Sequence, residues 1–146
     1  MYKHFLIPTD GSSQSEVAIQ QGIALARATH ARLTGLTVFP TFETARSAGP
    51  PGTVATHVDY EARCDARAAL RLESVERRAA EAGIPHDLVH VFDDLPYVAI
   101  LRTAQERGCD LIVIGSPHRE GLSALVLGSE TTRVLAYSKI PVLVCR

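Results

Sequence analysis

Short apolar runs alternate with longer segments of helical periodicity along the whole chain, and no other feature of the sequence constrains the fold as strongly. The apolar runs predict five strands, at residues 5–8, 33–38, 86–91, 111–114 and 141–144. The periodic segments predict four helices, at residues 14–29, 61–82 and 96–108 and from about residue 130 onward. Strands and helices that alternate in this way form a parallel sheet with helices on both faces.

Residues 40–60 interrupt this alternation, because two glycines and three prolines fall close together there: Pro40, Gly49, Pro50, Pro51 and Gly52. This composition predicts a loop without regular structure. A loop of such length in a compact domain is usually functional or disordered, so we expect a mobile flap. The sequence contains no internal repeat, linker or low-complexity tract, and we expect one domain over residues 1–146.

The charge balance and the cysteines exclude several classes of protein. The formal net charge is -1 and charges of both signs are mixed along the chain, whereas a nucleic-acid-binding protein needs a basic face. No apolar run is long enough to span a bilayer and no signal peptide precedes the first strand, so we expect a cytoplasmic protein with no membrane partner. Cys64, Cys109 and Cys145 lack the spacing of a zinc site or a disulfide framework, which is typical of buried thiols in a reducing compartment.

The sequence lacks the patterns of common catalytic and metal sites. Its six histidines form no HExxH motif and no cluster with cysteines, and its serines have no GxSxG context. A phospho-receiver domain is excluded too, because Asp10 has no acidic neighbour after the first strand to help it hold Mg²⁺. Asp93 and Asp94 predict a solvated turn that caps the third helix. We expect neither a catalytic residue nor a protein-bound metal.

Two predicted strands end in residues suited to ligand binding. Ligands of parallel sheets bind beyond the carboxyl ends of the strands, where the chain order reverses. Asp10 follows the first strand, where its carboxylate either caps a turn or accepts hydrogen bonds from a ligand. Gly128 and Ser129 directly precede the last helix. Free N–H groups in the first turn of that helix favour an anion such as phosphate, although the residues taken alone favour the simpler role of an N-cap for Ser129.

Four motifs together resemble the universal stress protein family, and the resemblance covers the whole chain. They are the segment 7–12 (IPTDGS), the approach 110–116 (DLIVIGS), Gly128-Ser129 at the family's distance from Gly115, and the closing strand 140–144 (IPVLV). The resemblance implies a single α/β domain of the adenine nucleotide alpha hydrolase-like type. Its open, five-stranded parallel sheet has the order 3-2-1-4-5, with helices on both faces.

The resemblance also implies a site for an adenine nucleotide in a stress-response sensor or switch. The ligand would be ATP, or AMP or ADP, with Mg²⁺ accompanying the phosphates; ATP hydrolysis would at most be slow. Asp10 and Val38 match the positions that hold the base and ribose, and Gly115, Gly128 and Ser129 match those that hold phosphates and ribose. The full set of implied binding residues is Pro8, Thr9, Asp10, Val38, Gly115, Ser116, His118, Arg119, Gly121, Gly128, Ser129, Glu130 and Thr131.

One position departs from the family signature, whose second glycine is His118 here. If that position requires a positive φ, a histidine there costs roughly 1–2 kcal/mol. His118 and Arg119 can instead donate to a phosphate, so we expect binding that is weaker or directed to a shorter nucleotide. The alternative is a dimeric interaction module of the same fold that binds no nucleotide. The resemblance implies a homodimer through the last strand, formed by Pro141, Val142, Leu143 and Val144.

Overall fold

A computed structural model describes residues 1–53, 56–116 and 127–146. Strands and helices follow one another in the expected order within these residues. The strands are β1 (His4–Pro8), β2 (Arg32–Phe39), β3 (His86–Phe92), β4 (Leu111–Gly115) and β5 (Val142–Cys145). The helices are α1 (Ser13–Thr29), α2 (Phe42–Ala48), α3 (His57–Glu81), α4 (Pro96–Glu106) and α5 (Ser129–Tyr137).

The strands form one parallel sheet in the order β3-β2-β1-β4-β5, which confirms the predicted fold class. β1 lies at the centre, where Phe5 pairs with Leu33 on one side and with Leu111 on the other. The chain leaves β1 towards β2 and later returns to β4 on the opposite side. The loops after β1 and β4 therefore diverge, and this arrangement opens a crevice at the carboxyl ends of these strands.

Helices cover both faces of the sheet, and alternate residues of each strand serve the two cores. Phe5 and Ile7 point into the core beneath α1 and α3, which also contains Ile19 and Val75. Leu6 points the other way, into the core beneath α4 and α5. Both faces of β1 are fully buried, as expected for the central strand of a parallel sheet.

The predicted loop at residues 40–60 is wrong in part, because α2 spans Phe42–Ala48 and α3 already begins at His57. Thr41 caps α2 by accepting a hydrogen bond from the Thr44 N–H. Phe42 packs against the ring of Tyr60, whose hydroxyl donates to the Pro40 carbonyl oxygen at 2.6 Å. These contacts stabilise a helix of only seven residues, which the surrounding glycines and prolines conceal in the sequence.

The predicted cap of α4 by Asp93 and Asp94 is wrong, because neither side chain accepts from a backbone N–H inside that helix. Asp93 Oδ1 accepts from the N–H of Leu95, the residue that precedes α4. Asp94 instead accepts from the N–H and hydroxyl of Thr41, so it ties the start of α2 to the β3–α4 connection. Pro96 lies in the first turn of α4, as predicted.

The described residues also bear on the predictions about thiols, membranes and metal ions. All three cysteines are buried and free of disulfide bonds. No helix in the described part of the chain is both long and apolar enough to cross a membrane. The described residues also contain no group of three His, Cys, Asp or Glu side chains that could hold a metal ion.

Candidate functional site

A cavity of about 320 Å³ opens at the carboxyl edge of the sheet, where β1, β2 and β4 end. Its volume falls at the lower end of the range for small-molecule sites, which is about 300–1,000 Å³. Strand ends and the first turns of α4 and α5 form its walls, together with the first turn of α1. Apolar side chains contributed by the strands and by α4 line part of it: Pro8, Leu36, Val38, Pro96, Ile100 and Ile114.

The cavity brings together most of the binding residues predicted from the sequence, namely Pro8, Thr9, Asp10, Val38, Gly115, Gly128, Ser129, Glu130 and Thr131. Ser116 does not line it. The Ser116 side chain is buried, and its Oγ accepts the Gly128 N–H at 3.2 Å, so this residue holds Gly128 at the start of α5. His118, Arg119 and Gly121 lie outside the described residues.

Sequence reasoning missed several lining residues, which are Ser12, Gln14, Ser15, Leu36, Pro96, Ile100 and Ile114. The apolar ones were indistinguishable from core residues, because a strand or helix position at the edge of the sheet has the same periodicity as one at its centre. The position of Ser15 was detectable in principle, since Ser12 and Ser15 have the spacing of an N-cap and its partner.

Asp10 anchors the turn after β1 through one oxygen of its exposed carboxylate. Its Oδ1 accepts hydrogen bonds from the Ser12 N–H at 2.9 Å and from the Ser15 hydroxyl at 2.8 Å. Partial burial by itself raises the pKa of Asp10, but these hydrogen bonds outweigh it and hold the pKa below its usual range. Oδ2 has no hydrogen-bond partner among the described residues, so one oxygen of an ionised carboxylate remains available at the cavity.

Gly115 lets α1 approach β4 very closely. A Cβ at this position would lie 2.7 Å from the carbonyl carbon of Gln14 and closer still to its oxygen, and 3.2 Å from the Ser15 nitrogen. The first turn of α1 therefore occupies the space that a side chain would need. Because Gly115 has no side chain, α1 can pack directly against β4, and this contact brings the N-terminus of α1 to the cavity.

The first turn of α5 presents backbone donors at the cavity. Its N-cap is Gly128 and not Ser129, so the N-cap alternative for Ser129 is wrong. No side chain caps this turn, and the N–H groups of Ser129, Glu130 and Thr131 have no acceptor among the described residues. Together with the positive end of the helix dipole, such free donors favour an anion.

Glu130 has a structural role beside its place in the cavity. One of its carboxylate oxygens accepts from the Tyr97 N–H at 2.9 Å, and the other accepts from Arg133 at 3.2 Å. Leu95, the N-cap of α4, offers no side-chain acceptor, so Glu130 caps α4 from the neighbouring helix. The N-termini of α1, α4 and α5 thus converge on the cavity, and the positive ends of their dipoles partly offset the charges of Asp10 and Glu130.

Comparisons with known proteins agree with this architecture. The model of the Universal stress protein family matches residues 1–146. Universal stress protein YxiE of Bacillus subtilis is 32% identical over 149 residues, which cover 100% of each chain. The solved structure of MJ0577 of Methanocaldococcus jannaschii is 26% identical with a TM-score of 0.78, and the match covers 99% of this chain and 96% of that one. A universal stress protein in complex with cAMP is 25% identical with a TM-score of 0.68, covering 99% and 97%.

Proposed function

Because this chain belongs to the universal stress protein family, we propose that its cavity binds an adenine nucleotide and that binding serves a stress-response sensor or switch. The observation that carries the proposal is the convergence of three helix N-termini on a cavity that also has an apolar wall and one available oxygen of Asp10. The cAMP complex of a relative of the same fold supports this choice of ligand class.

The geometry suggests an orientation for the ligand. Val38 and Leu36 belong to β2, whereas Gly128 bonds to Ser116 at the end of β4, and β1 lies between these two strands. We place the base against the apolar wall near Val38 and a phosphate at the first turn of α5, where the free N–H groups are. Asp10 lies after β1, between these two ends, where Oδ2 can accept hydrogen bonds from ribose hydroxyls.

The lining charges favour a ligand with few negative charges. Asp10 and Glu130 are the ionisable side chains of the lining, and no cationic side chain of the described residues joins them. We therefore place AMP or a cyclic nucleotide ahead of ATP. An ATP ligand would bring Mg²⁺ on its own phosphates, since the described residues offer no cluster of protein ligands for a metal.

Isothermal titration calorimetry with AMP, cAMP, ADP and ATP, each with and without Mg²⁺, tests the proposal. We expect saturable binding by the wild type and at least about tenfold weaker binding by Asp10→Asn, which loses an ionised acceptor. Asp87→Asn is the matched control, because Asp87 is a partly exposed aspartate near the opposite end of β3. Absence of binding heat at millimolar nucleotide would refute the proposal.

A second function, that of a dimeric interaction module, is favoured by the edge of the sheet. β5 is an edge strand whose Leu143 is 39% exposed, and an unpaired apolar edge favours association with a second strand. We propose a homodimer through Pro141, Val142, Leu143 and Val144, in a cytoplasmic protein whose buried thiols suit a reducing compartment. Sedimentation of Leu143→Lys should yield monomers, whereas Leu70→Lys, on the exposed face of α3, should sediment as the wild type does.

A further inference from the structure

Arg71 of α3 contacts two neighbouring segments near the cavity, which are the end of β2 and the turn after β1. Its Nη1 donates to the Thr37 hydroxyl at 3.3 Å and to the Val38 carbonyl at 3.4 Å, both at the end of β2. Its aliphatic stem packs against the turn after β1, where a Cβ on Gly11 would lie 3.3 Å from Arg71 Cγ. The guanidinium lies 4.5 Å from the centroid of the buried Phe39 ring, a contact that restricts where it can point.

Arg71 is not held there by an ion pair. No carboxylate forms a salt bridge with its guanidinium among the described residues. Partial burial lowers the pKa of Arg71, with a further contribution from Arg67, while the charge of Asp10 opposes the shift. A partly desolvated cation that has no ion-pair partner adds little to the free energy of unfolding, so stability alone does not explain this arrangement.

The backbone of Val38 explains what such a contact can achieve. The Leu36 carbonyl accepts the Thr9 N–H at 2.8 Å, so it points from β2 towards β1. Two residues later the backbone of Val38 points the same way, but β1 has already ended at Pro8. The Val38 N–H and carbonyl therefore lie side by side without a strand partner, at the edge of the cavity. A neighbouring donor and acceptor match the hydrogen-bonding edge of a nucleobase.

We propose that Arg71, whose stem rests against the turn at Gly11, is a positioning residue of the cavity, which holds the end of β2 at Val38 in the geometry that hydrogen-bonds the base of a bound nucleotide. This inference rests on the nucleotide-binding function proposed above. Arg71 acts through backbone groups and does not touch the phosphate. Its removal should therefore weaken recognition of the base and leave recognition of the ribose phosphate unchanged.

Calorimetric titration of wild type and Arg71→Ala with AMP and with ribose 5-phosphate separates these contributions. We expect Arg71→Ala to bind AMP about tenfold more weakly than the wild type, and to bind ribose 5-phosphate within about twofold of it. Arg67→Ala is the matched control, since Arg67 also lies over Phe39, at 5.7 Å, and donates no hydrogen bond to β2. Equal losses for both ligands, or an unchanged AMP affinity, would overturn the inference.

Hydrogen exchange of the free protein tests the same role without a ligand. The Thr9 N–H bonds to Leu36 and the Asp93 N–H bonds to Phe39, so both amides report on the end of β2. We expect both to exchange at least about tenfold faster in Arg71→Ala and at the wild-type rate in Arg67→Ala. If the wild type bound neither ligand, the proposed function would fail. If the two amides exchanged at the wild-type rate in Arg71→Ala, the role of Arg71 would be overturned whether or not the nucleotide binds.

Discussion

Replacing Gly115 by alanine should destabilise the protein and close its cavity to ligands at the same time. The new Cβ would lie 2.7 Å from the Gln14 carbonyl carbon and 3.2 Å from the Ser15 nitrogen, both of which are backbone atoms of the first turn of α1. Backbone in a helix cannot rotate away as a side chain does, so the whole turn must shift. Overpacking of a well-packed core costs about 1–3 kcal/mol and occasionally more, and contact with backbone places this variant at about 3 kcal/mol.

Thermal and urea denaturation followed by circular dichroism measure this cost. For a domain of this size we expect the melting temperature to fall by roughly 10 °C. The same shift of α1 should move Asp10, whose Oδ1 is bound to Ser15, so nucleotide binding should be lost under conditions where the variant is still folded. Gly49→Ala is the control, because Gly49 has φ −119° at the exposed end of α2 and the atoms nearest to its Cβ would belong to the Thr53 side chain, the first at 3.3 Å.

Two outcomes would contradict this reasoning. A Gly115→Ala variant that melts within about 2 °C of the wild type would mean that the close approach of α1 is easily relaxed. A destabilised variant that retained full nucleotide affinity would mean that the position of the α1 N-terminus does not matter for the ligand.

Three further predictions concern groups that hold the cavity together. The pKa of Asp10 is lowered in the folded state, so its stabilising contribution is present above the unfolded pKa of about 3.9 and is lost as the pH falls through the folded value. Urea titrations should therefore show that Asp10→Asn has a lower free energy of unfolding than the wild type at pH 7 and that this difference vanishes in strong acid. A difference that stayed constant with pH would contradict this. Glu130→Ala removes the acceptor of the Tyr97 N–H and should lower the free energy of unfolding by about 1 kcal/mol, whereas Glu130→Gln should retain most of it in the same urea titration. Ser116→Ala removes the buried acceptor of the Gly128 N–H and should cost about 1–3 kcal/mol, with a smaller thermal shift on addition of AMP than the wild type shows; an unchanged shift would exclude a role for Ser116 in the site.

The fold was predictable from the sequence because its pattern is redundant. The run at residues 111–114 is apolar throughout, and the structure buries all four side chains in the centre of the sheet. Every predicted strand and helix is present, with bounds that differ by a few residues. The element that the sequence did not predict, α2, is short, and it depends on the contact of Phe42 with Tyr60. A contact between residues so far apart in sequence leaves no local pattern.

The candidate site was predictable only where the motif itself carries the chemistry. Asp10 was predictable because it follows a strand and precedes Gly11 and Ser12, a sequence suited to a turn. Gly128 was predictable because it precedes Ser129 at the start of a helix. The second role of Glu130, as the cap of α4, was not predictable, since its partner Tyr97 is 33 residues away in the sequence. Arg71 was overlooked for a related reason. It lies within a helix that has many arginines, and only the packing of α3 distinguishes it from Arg67.

Several hydrogen-bonding groups of this cavity belong to the backbone, and this affects which substitutions should matter most. The free N–H groups of α5 and the backbone of Val38, which has no partner in β1, do not depend on the identity of their own side chains. They depend on where the helices and the end of β2 are held, which is the task of Gly115, Glu130 and Arg71. Residues that position the backbone should therefore control nucleotide affinity more strongly than most residues that line the cavity. Asp10 is the exception, because its side chain both forms the turn and offers an oxygen to the ligand.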